Sequence, residues 1–158
     1  MNDVTALANR LIAAPSVTPA TGLVFDVLEA MLAPLGFTVH RFLAGEASDP
    51  GAGDGSNGPV ENLFAIRKGP AGSKHFAYAG HLDVVPPGTG WTSAPFAPEV
   101  KGDLLYGRGA VDMKGAIAAM VAAVAEVPAE AGTVSFIITG DEEGPAVHGT
   151  RPLIEHMR

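Results

Sequence analysis

Two stretches of this chain are almost purely apolar, and both run directly into acid. HFAYAGHLDVV (75–85) carries His81 and Asp83 near its end, and TVSFIIT (133–139) is followed at once by GDEEG. Apolar runs of this length suit strands covered on both faces, as in a parallel or mixed sheet. Helical spacing appears around them. Val4, Leu7, Ala8, Leu11 and Ile12 share one helix face, with Asn2 or Asp3 as cap and Pro15 as stop. A second helix is expected over 21–35, with Val24, Val27, Leu28, Met31 and Leu35 inward and Gly36 at its end. A third is expected over 113–127, burying Ile117, Met120, Val121, Val124 and Val127. Shorter strands are expected at 37–42, 62–67 and 104–107, and Thr150 is expected to cap a final helix, PLIEHMR. Helices alternating with buried strands predict an α/β domain.

The 158 residues suffice for one domain, since domains cluster at roughly 100–200 residues. The stretch AGEASDPGAGDGSNGPV (44–60) reads as a surface loop within that domain, 1–158, because a strand resumes directly after it. A composition 47% hydrophobic and 17% charged excludes a disordered chain. A net charge of −7 without a basic run argues against nucleic acid and anionic membranes as partners. There is no cysteine, so any metal must sit on histidine and carboxylates. The start, MNDVTALANR, has no leader pattern, and no run approaches the ~18 apolar residues of a membrane span. The expectation is a soluble, cytoplasmic protein.

Three segments bring acids and one histidine to the ends of expected strands, the edge at which open α/β sheets bind ligands. His81 and Asp83 leave one face of an extended backbone, so the carboxylate can hold one imidazole nitrogen and aim the other outward. Taken alone, such an H-x-D is an ordinary strand end. Asp112, in GRGAVDMKG, precedes a helix, and its plain reading is an N-cap. Gly107 and Gly109 before it permit close approach of backbone to a ligand. Asp141, Glu142 and Glu143 form an acidic turn that, alone, is simply solvated. The conjunction of the three points to a divalent cation, which compensates clustered carboxylates beside buried strands. GTG (88–90) and GPAGSK (69–74) lack the spacing of phosphate-binding loops, and Ser16 and Thr18 lack the context of a nucleophile. His40, His75, His148 and His156 read as structural or surface residues. Trp91 and Phe96 read as packing for their long loop.

The stretch GHLDVVPPGTGWTSAPFAPEVKGDLLYGRGAVDMKGAIAAMVAAV (80–124), with DEEGPAVHGT (141–150) and LIAAPSVTPATG (11–22), resembles the di-zinc amidohydrolase family of deacylases, aminoacylases and carboxypeptidases. Within that family it is most similar to members that remove a succinyl group from an amino-acid amine; acetyl-removing members and aminoacylases are the alternatives. Leu82 stands where the family pattern has threonine. The resemblance implies a three-layer α/β/α, zinc-exopeptidase-like domain with a mixed sheet. It implies that His81 ligates one metal, Asp112 bridges two, Glu143 ligates the other, Glu142 is the general base and Asp83 orients His81. It implies Zn2+, two per complete site, with Co2+ as a substitute. It further implies a cis peptide after Asp112 and an attack by metal-activated water on an amide carbonyl. A further carboxylate ligand, a last histidine ligand and an inserted dimerisation (lid) domain fall outside these 158 residues. The chain therefore reads as the N-terminal part of a catalytic domain, inactive alone. A homodimer is expected only of the longer enzyme, and a non-catalytic metal-binding role is the alternative for this piece.

Overall fold

The computed structural model describes residues 3–45 and 59–157. Helix α1 (Val4–Ile12) starts where Asp3 accepts the Thr5 N–H at 3.0 Å, so the aspartate is the cap; Asn2 lies outside the described residues. Helix α2 (Leu23–Leu32) starts two residues later than expected. Its entry is fixed from a distance: the Glu61 carboxylate accepts the Gly22 N–H at 2.6 Å. A 3-10 turn (Ala33–Leu35) closes on Gly36, whose φ of +83° suits a residue without Cβ.

The main sheet is mixed. Strands β1 (Thr38–Ala44) and β2 (Val60–Arg67) are antiparallel, and most of the expected 44–60 loop between them falls outside the described residues. Strand β3 (His75–His81) pairs in parallel with β6 (Thr133–Thr139), which pairs antiparallel with β2. The order is β1-β2-β6-β3. Strands β4 (Glu99–Lys101) and β5 (Leu104–Tyr106) form a separate hairpin. Helices α3 (Lys114–Ala125) and α4 (Thr150–His156) complete the set, with a 3-10 turn at Ala129–Ala131.

The alternation of the strands decides where the core lies. Leu63 and Ala65 of β2, and Val134, Phe136 and Ile138 of β6, share one face and are buried with Leu11, Ile12, Phe25, Leu28 and Ile117 of α1, α2 and α3. Each large apolar side chain hidden in this way contributes about 1.5–3 kcal/mol. Phe136 is the hub, with the Phe37 ring edge-on at 5.4 Å and Tyr78 at 5.0 Å. Two cations are built into this layer. Arg67 stacks on Phe37 and donates to the Val127 carbonyl at 2.9 Å, holding the end of α3. Lys114, fully buried, donates to the Ala14 carbonyl at 2.8 Å and ties α3 to the end of α1.

Four local expectations change. The apolar run from 75 stops being strand at His81, and β3 is an edge strand with Phe76, Ala77 and Ala79 exposed, because β6 pairs with it on one side only. Val127 lies beyond α3 and is 37% exposed; Ala118 and Ala122 take the inward positions. Thr150 is the first helical residue of α4, and Gly149 before it makes no side-chain cap. Asp112 does not cap α3 either, because Met113 occupies the cap position. The α/β class and the mixed sheet are as expected. On the face of the sheet away from α1–α3, the helix among the described residues is α4, packed on β6 and β2.

Candidate metal centre

His81 is the last residue of β3, level with Thr139 at the end of β6 in the parallel register. Its ring is buried, and its two nitrogens face different partners. Nδ1 lies 3.0 Å from the Asp83 carbonyl oxygen and 3.4 Å from its carboxylate; Nε2 lies 3.1 Å from Asp112 and 3.6 Å from Glu142. One nitrogen is thus held by the backbone turn, and the other points at the acids.

Asp83 does more than orient the ring. Its carboxylate is fully buried and accepts the Glu142 N–H at 3.0 Å and the Glu143 N–H at 2.9 Å, fixing the acidic turn after β6 from the end of β3. The segment before it is braced as well. Ser16 donates its hydroxyl to the Leu82 carbonyl at 2.7 Å, and Val84 exchanges backbone bonds with the 16–18 segment, donating to the Ser16 carbonyl and accepting from the Thr18 N–H. Thr18 also donates to Asp141 at 3.3 Å. These bracing roles of Ser16 and Thr18 carry no local sequence signal, since the residues joined lie 66 and 123 positions apart.

Asp112 reaches the cluster from the 107–113 turn, followed by the cis peptide Asp112–Met113 that the resemblance implies. Met113 Sδ in turn takes the His81 N–H at 3.3 Å. Gly109, at φ +82°, abuts Val84 and Lys114, and Gly107 abuts Ile12. A Cβ at either position would meet these side chains, and both glycines also line the cleft beside Asp112 and Glu143.

The ligand atoms of His81, Asp112 and Glu143 all lie within 4.8 Å of one another. The Glu142 carboxylate stands beside them, 58% exposed, as Asp112 is at 68%. All five expected site residues therefore converge, from segments up to 62 positions apart along the chain.

Electrostatics separates the buried pair from the exposed acids. Burial alone would lower the His81 pKa, but Asp83 outweighs it and, with Glu142, holds the imidazole up, from an ordinary 6.5 to about 9. Burial alone would raise Asp83; hydrogen bonds from His81 and the two amides outweigh it and hold the carboxylate below its ordinary range. Glu143 moves the other way, pushed up by burial and by the charge of Asp112. The two nearest cations in sequence are committed elsewhere: Lys114 to Ala14, and Arg108 to the Pro86 and Pro87 carbonyls with its guanidinium over Trp91. Carboxylates that repel one another around an inward-aimed imidazole nitrogen form a donor set suited to a divalent cation. A cleft of about 390 Å³ opens beside them, lined by Val85, Arg108, Val111, Asp112 and Glu143.

Residues 77–158 match the model of peptidase family M20/M25/M40. The chain is 73% identical, over all 158 residues, to the succinyl-diaminopimelate desuccinylase of Erythrobacter litoralis, of which it covers 41%. It is 72% identical over 156 residues to the enzyme of that name from Novosphingobium aromaticivorans, covering 40% of it. The chain thus spans about two-fifths of the length of these curated relatives. Human carnosine dipeptidase 1 shares the fold, with a TM-score of 0.76 and 24% identity over 92% of this chain and 33% of that one. No helix among the described residues is long and apolar enough to cross a membrane. On the family match, which takes in the β3 end, the 107–113 turn and the acidic turn together, this chain belongs to peptidase family M20/M25/M40.

Proposed function

We propose that this chain supplies the N-terminal part of a metal-dependent desuccinylase acting on N-succinyl-LL-2,6-diaminopimelate, a step of lysine biosynthesis carried out in the cytoplasm. The observation that carries this reading is the convergence of His81, Asp112 and Glu143 ligand atoms within 4.8 Å, with Glu142 alongside. His81, Asp112 and Glu143 would hold zinc, or cobalt in its place, with Asp112 shared between two ions. Two such ions supply Lewis acidity and bring the pKa of water toward neutrality.

The chain's own residues do the rest. Glu142 is the general base: its carboxylate takes the proton from the attacking water and returns it to the departing amine. Its exposure suits that task, because a base must reach both the water and the leaving nitrogen. Asp83 fixes the imidazole through the turn it makes with His81, and it sets where Glu142 and Glu143 stand through their backbone N–H groups. The cleft beside Asp112 and Glu143 has room for a small N-acyl amino acid. The products are succinate and LL-diaminopimelate.

With one histidine and two carboxylates, the chain alone is expected to bind zinc weakly and to turn nothing over. Calorimetric titration with zinc should show a weak site that disappears in His81→Ala and in Asp112→Ala. Turnover of N-succinyl-diaminopimelate by the purified 158-residue chain would contradict the reading, as would absence of zinc binding. The substrate is tested by fusing residues 1–158 to the remainder of the Erythrobacter litoralis relative. That chimera should prefer the succinyl substrate to N-acetylornithine and form a homodimer. A second reading, a non-catalytic metal-binding unit, is favoured by the three-ligand donor set, and it predicts bound metal without hydrolysis even in the chimera.

A further inference from the structure

We propose that residues 16–18 occupy the ladder positions that β6 would reach with residues 141–143, and that Ser16 and Thr18 are thereby positioning residues for Glu142 and Glu143. The claim that they serve a metal rests on the function proposed above; the claim that they place the acidic turn does not.

Register says where the ladder of β3 and β6 would go next. His81 is level with Thr139, so Leu82 is level with Gly140, and the Leu82 N–H donates to the Thr139 carbonyl at 2.9 Å. A regular parallel ladder would then bring the Asp141 N–H to the Leu82 carbonyl, and the Asp141 carbonyl and Glu143 N–H to Val84. Each of these places has another occupant. The Leu82 carbonyl takes the Ser16 hydroxyl at 2.7 Å. The Val84 N–H donates to the Ser16 carbonyl at 2.9 Å, and the Thr18 N–H donates to the Val84 carbonyl at 3.0 Å. Val17 is thus the parallel partner of Val84, in the position that the register would give to Glu142.

The exchange releases the acids. The Asp141 N–H turns back to the Thr139 hydroxyl at 3.3 Å, and the Glu142 and Glu143 N–H groups go to the Asp83 carboxylate. Held in the ladder, Glu142 and Glu143 would point to opposite faces of the sheet and could not both stand beside His81. Displaced into a turn, both do.

The sequence around the two segments fits this exchange. Pro15 and Pro19 have no N–H with which to prolong the pairing, so the substitute is confined to the three residues between them. Past them, Ala20 donates to the Gly140 carbonyl at 2.7 Å, and a Cβ on Gly140 would strike the Ala20 and Glu61 carbonyl oxygens. The 16–20 segment therefore crosses the end of β6 against bare backbone. Thr18 pegs the displaced turn: its hydroxyl donates to the buried Asp141 at 3.3 Å, and a Cβ on Gly144 would strike both groups. Asp141 lies outside the ligand cluster and acquires a role here, as the anchor of the turn that carries the other two acids.

Thr18→Val and Ser16→Ala test the proposal in the 158-residue chain, with Thr18→Ser as the conservative control. Amide hydrogen exchange is read without metal, and zinc affinity is read by calorimetric titration. Thr18→Val should speed exchange at Glu142 and Glu143 about tenfold and leave Phe136, in the middle of β6, unchanged, because only the turn opens. It should weaken zinc by about tenfold or more, the usual consequence of losing a group that holds a ligand in place. Thr18→Ser should restore both values. Ser16→Ala should change both in the same direction, and it decides the matter if Thr18→Val fails to fold. Equal acceleration at Phe136 and Glu143 would reduce the hydroxyls to general stability and overturn the proposal. Unchanged exchange at Glu142 and Glu143 in both variants would overturn it too. If the parent chain binds no zinc, the metal reading fails, and the metal-free exchange still decides whether residues 16–18 place the turn.

Discussion

His81 and Asp83 on one side, and Asp112, Glu142 and Glu143 on the other, form two halves of one cluster built on opposite terms. The first half is buried and hydrogen-bonded on all sides: imidazole to backbone carbonyl, carboxylate to two amides. The second half presents Asp112 and Glu142 to solvent and holds Glu143 half-buried, and the charges repel one another. The buried half is therefore part of the fold and stabilises it without metal. The exposed half carries mutual repulsion, which the protonated imidazole offsets in part and a metal cation would offset further. One half holds the geometry and the other would provide the affinity for a cation.

The largest test of this contrast is Asp83→Ala. Removing the carboxylate leaves the Glu142 and Glu143 amides without their acceptor and takes the buried countercharge from the imidazole, so the chain should lose about 3–5 kcal/mol of stability by denaturant unfolding. Asp112→Ala under the same conditions should lose about 1 kcal/mol or less, the range of an exposed ion pair. Equal losses would erase the distinction between the halves.

The next effect is on pH dependence without metal. The His81 pKa is raised from 6.5 to about 9 in the fold, so its contribution to stability is complete below pH 6.5 and is lost as pH rises through 9. Asp83 is lowered from 3.8, so its contribution is complete above pH 3.8 and is lost as acid approaches the depressed value. The melting temperature should therefore be highest between these limits. Lys114 opposes the alkaline loss, since burial lowers it from 10.5 to about 8 and the fold recovers stability as it deprotonates over that range. A Lys114→Met background removes that recovery and leaves the His81 decline exposed. A flat melting profile from pH 6.5 to 9 in that background would contradict the pairing.

A smaller effect comes from zinc itself. At a zinc concentration 100 times its dissociation constant, the melting midpoint should rise by the equivalent of about 2.7 kcal/mol. Glu143→Ala should abolish the rise without lowering the metal-free midpoint. The smallest effect on stability is expected from Glu142→Gln, within about 0.5 kcal/mol as for other exposed substitutions. The same change in the chimera should reduce turnover by about 10²–10⁴-fold while zinc stays bound. Retained turnover would reassign the base.

Local periodicity made the helices, the paired strands and the candidate residues legible in the sequence, because each depends on residues only a few positions apart. A cap at Asn2 or Asp3 and a stop at Gly36 follow from local chemistry, whereas the meeting of His81 with the acids was implied by the family resemblance. What stayed hidden is what depends on distant partners. The main work of Asp83 is to hold amides 59 and 60 positions away. Glu61 fixes the start of α2 from β2, and Ser16 braces Leu82, without any local pattern that marks them. The side chains that Gly107 and Gly109 admit belong to other segments, so their purpose could not be read from their own surroundings.

The parallel register of β3 on β6 sets His81 level with Thr139, three residues before Glu142. A slip of one residue would shift the imidazole about 3.3 Å along the strand and turn it to the opposite side of the sheet. Metal–ligand bonds of about 2.0–2.2 Å would tolerate no such displacement. If His81, Asp112 and Glu143 hold a metal as proposed, the sheet is the ruler for that chelate, and substitutions among Phe136, Ile138 and Tyr78 that loosen strand alignment should surface as altered metal selectivity before they surface as unfolding.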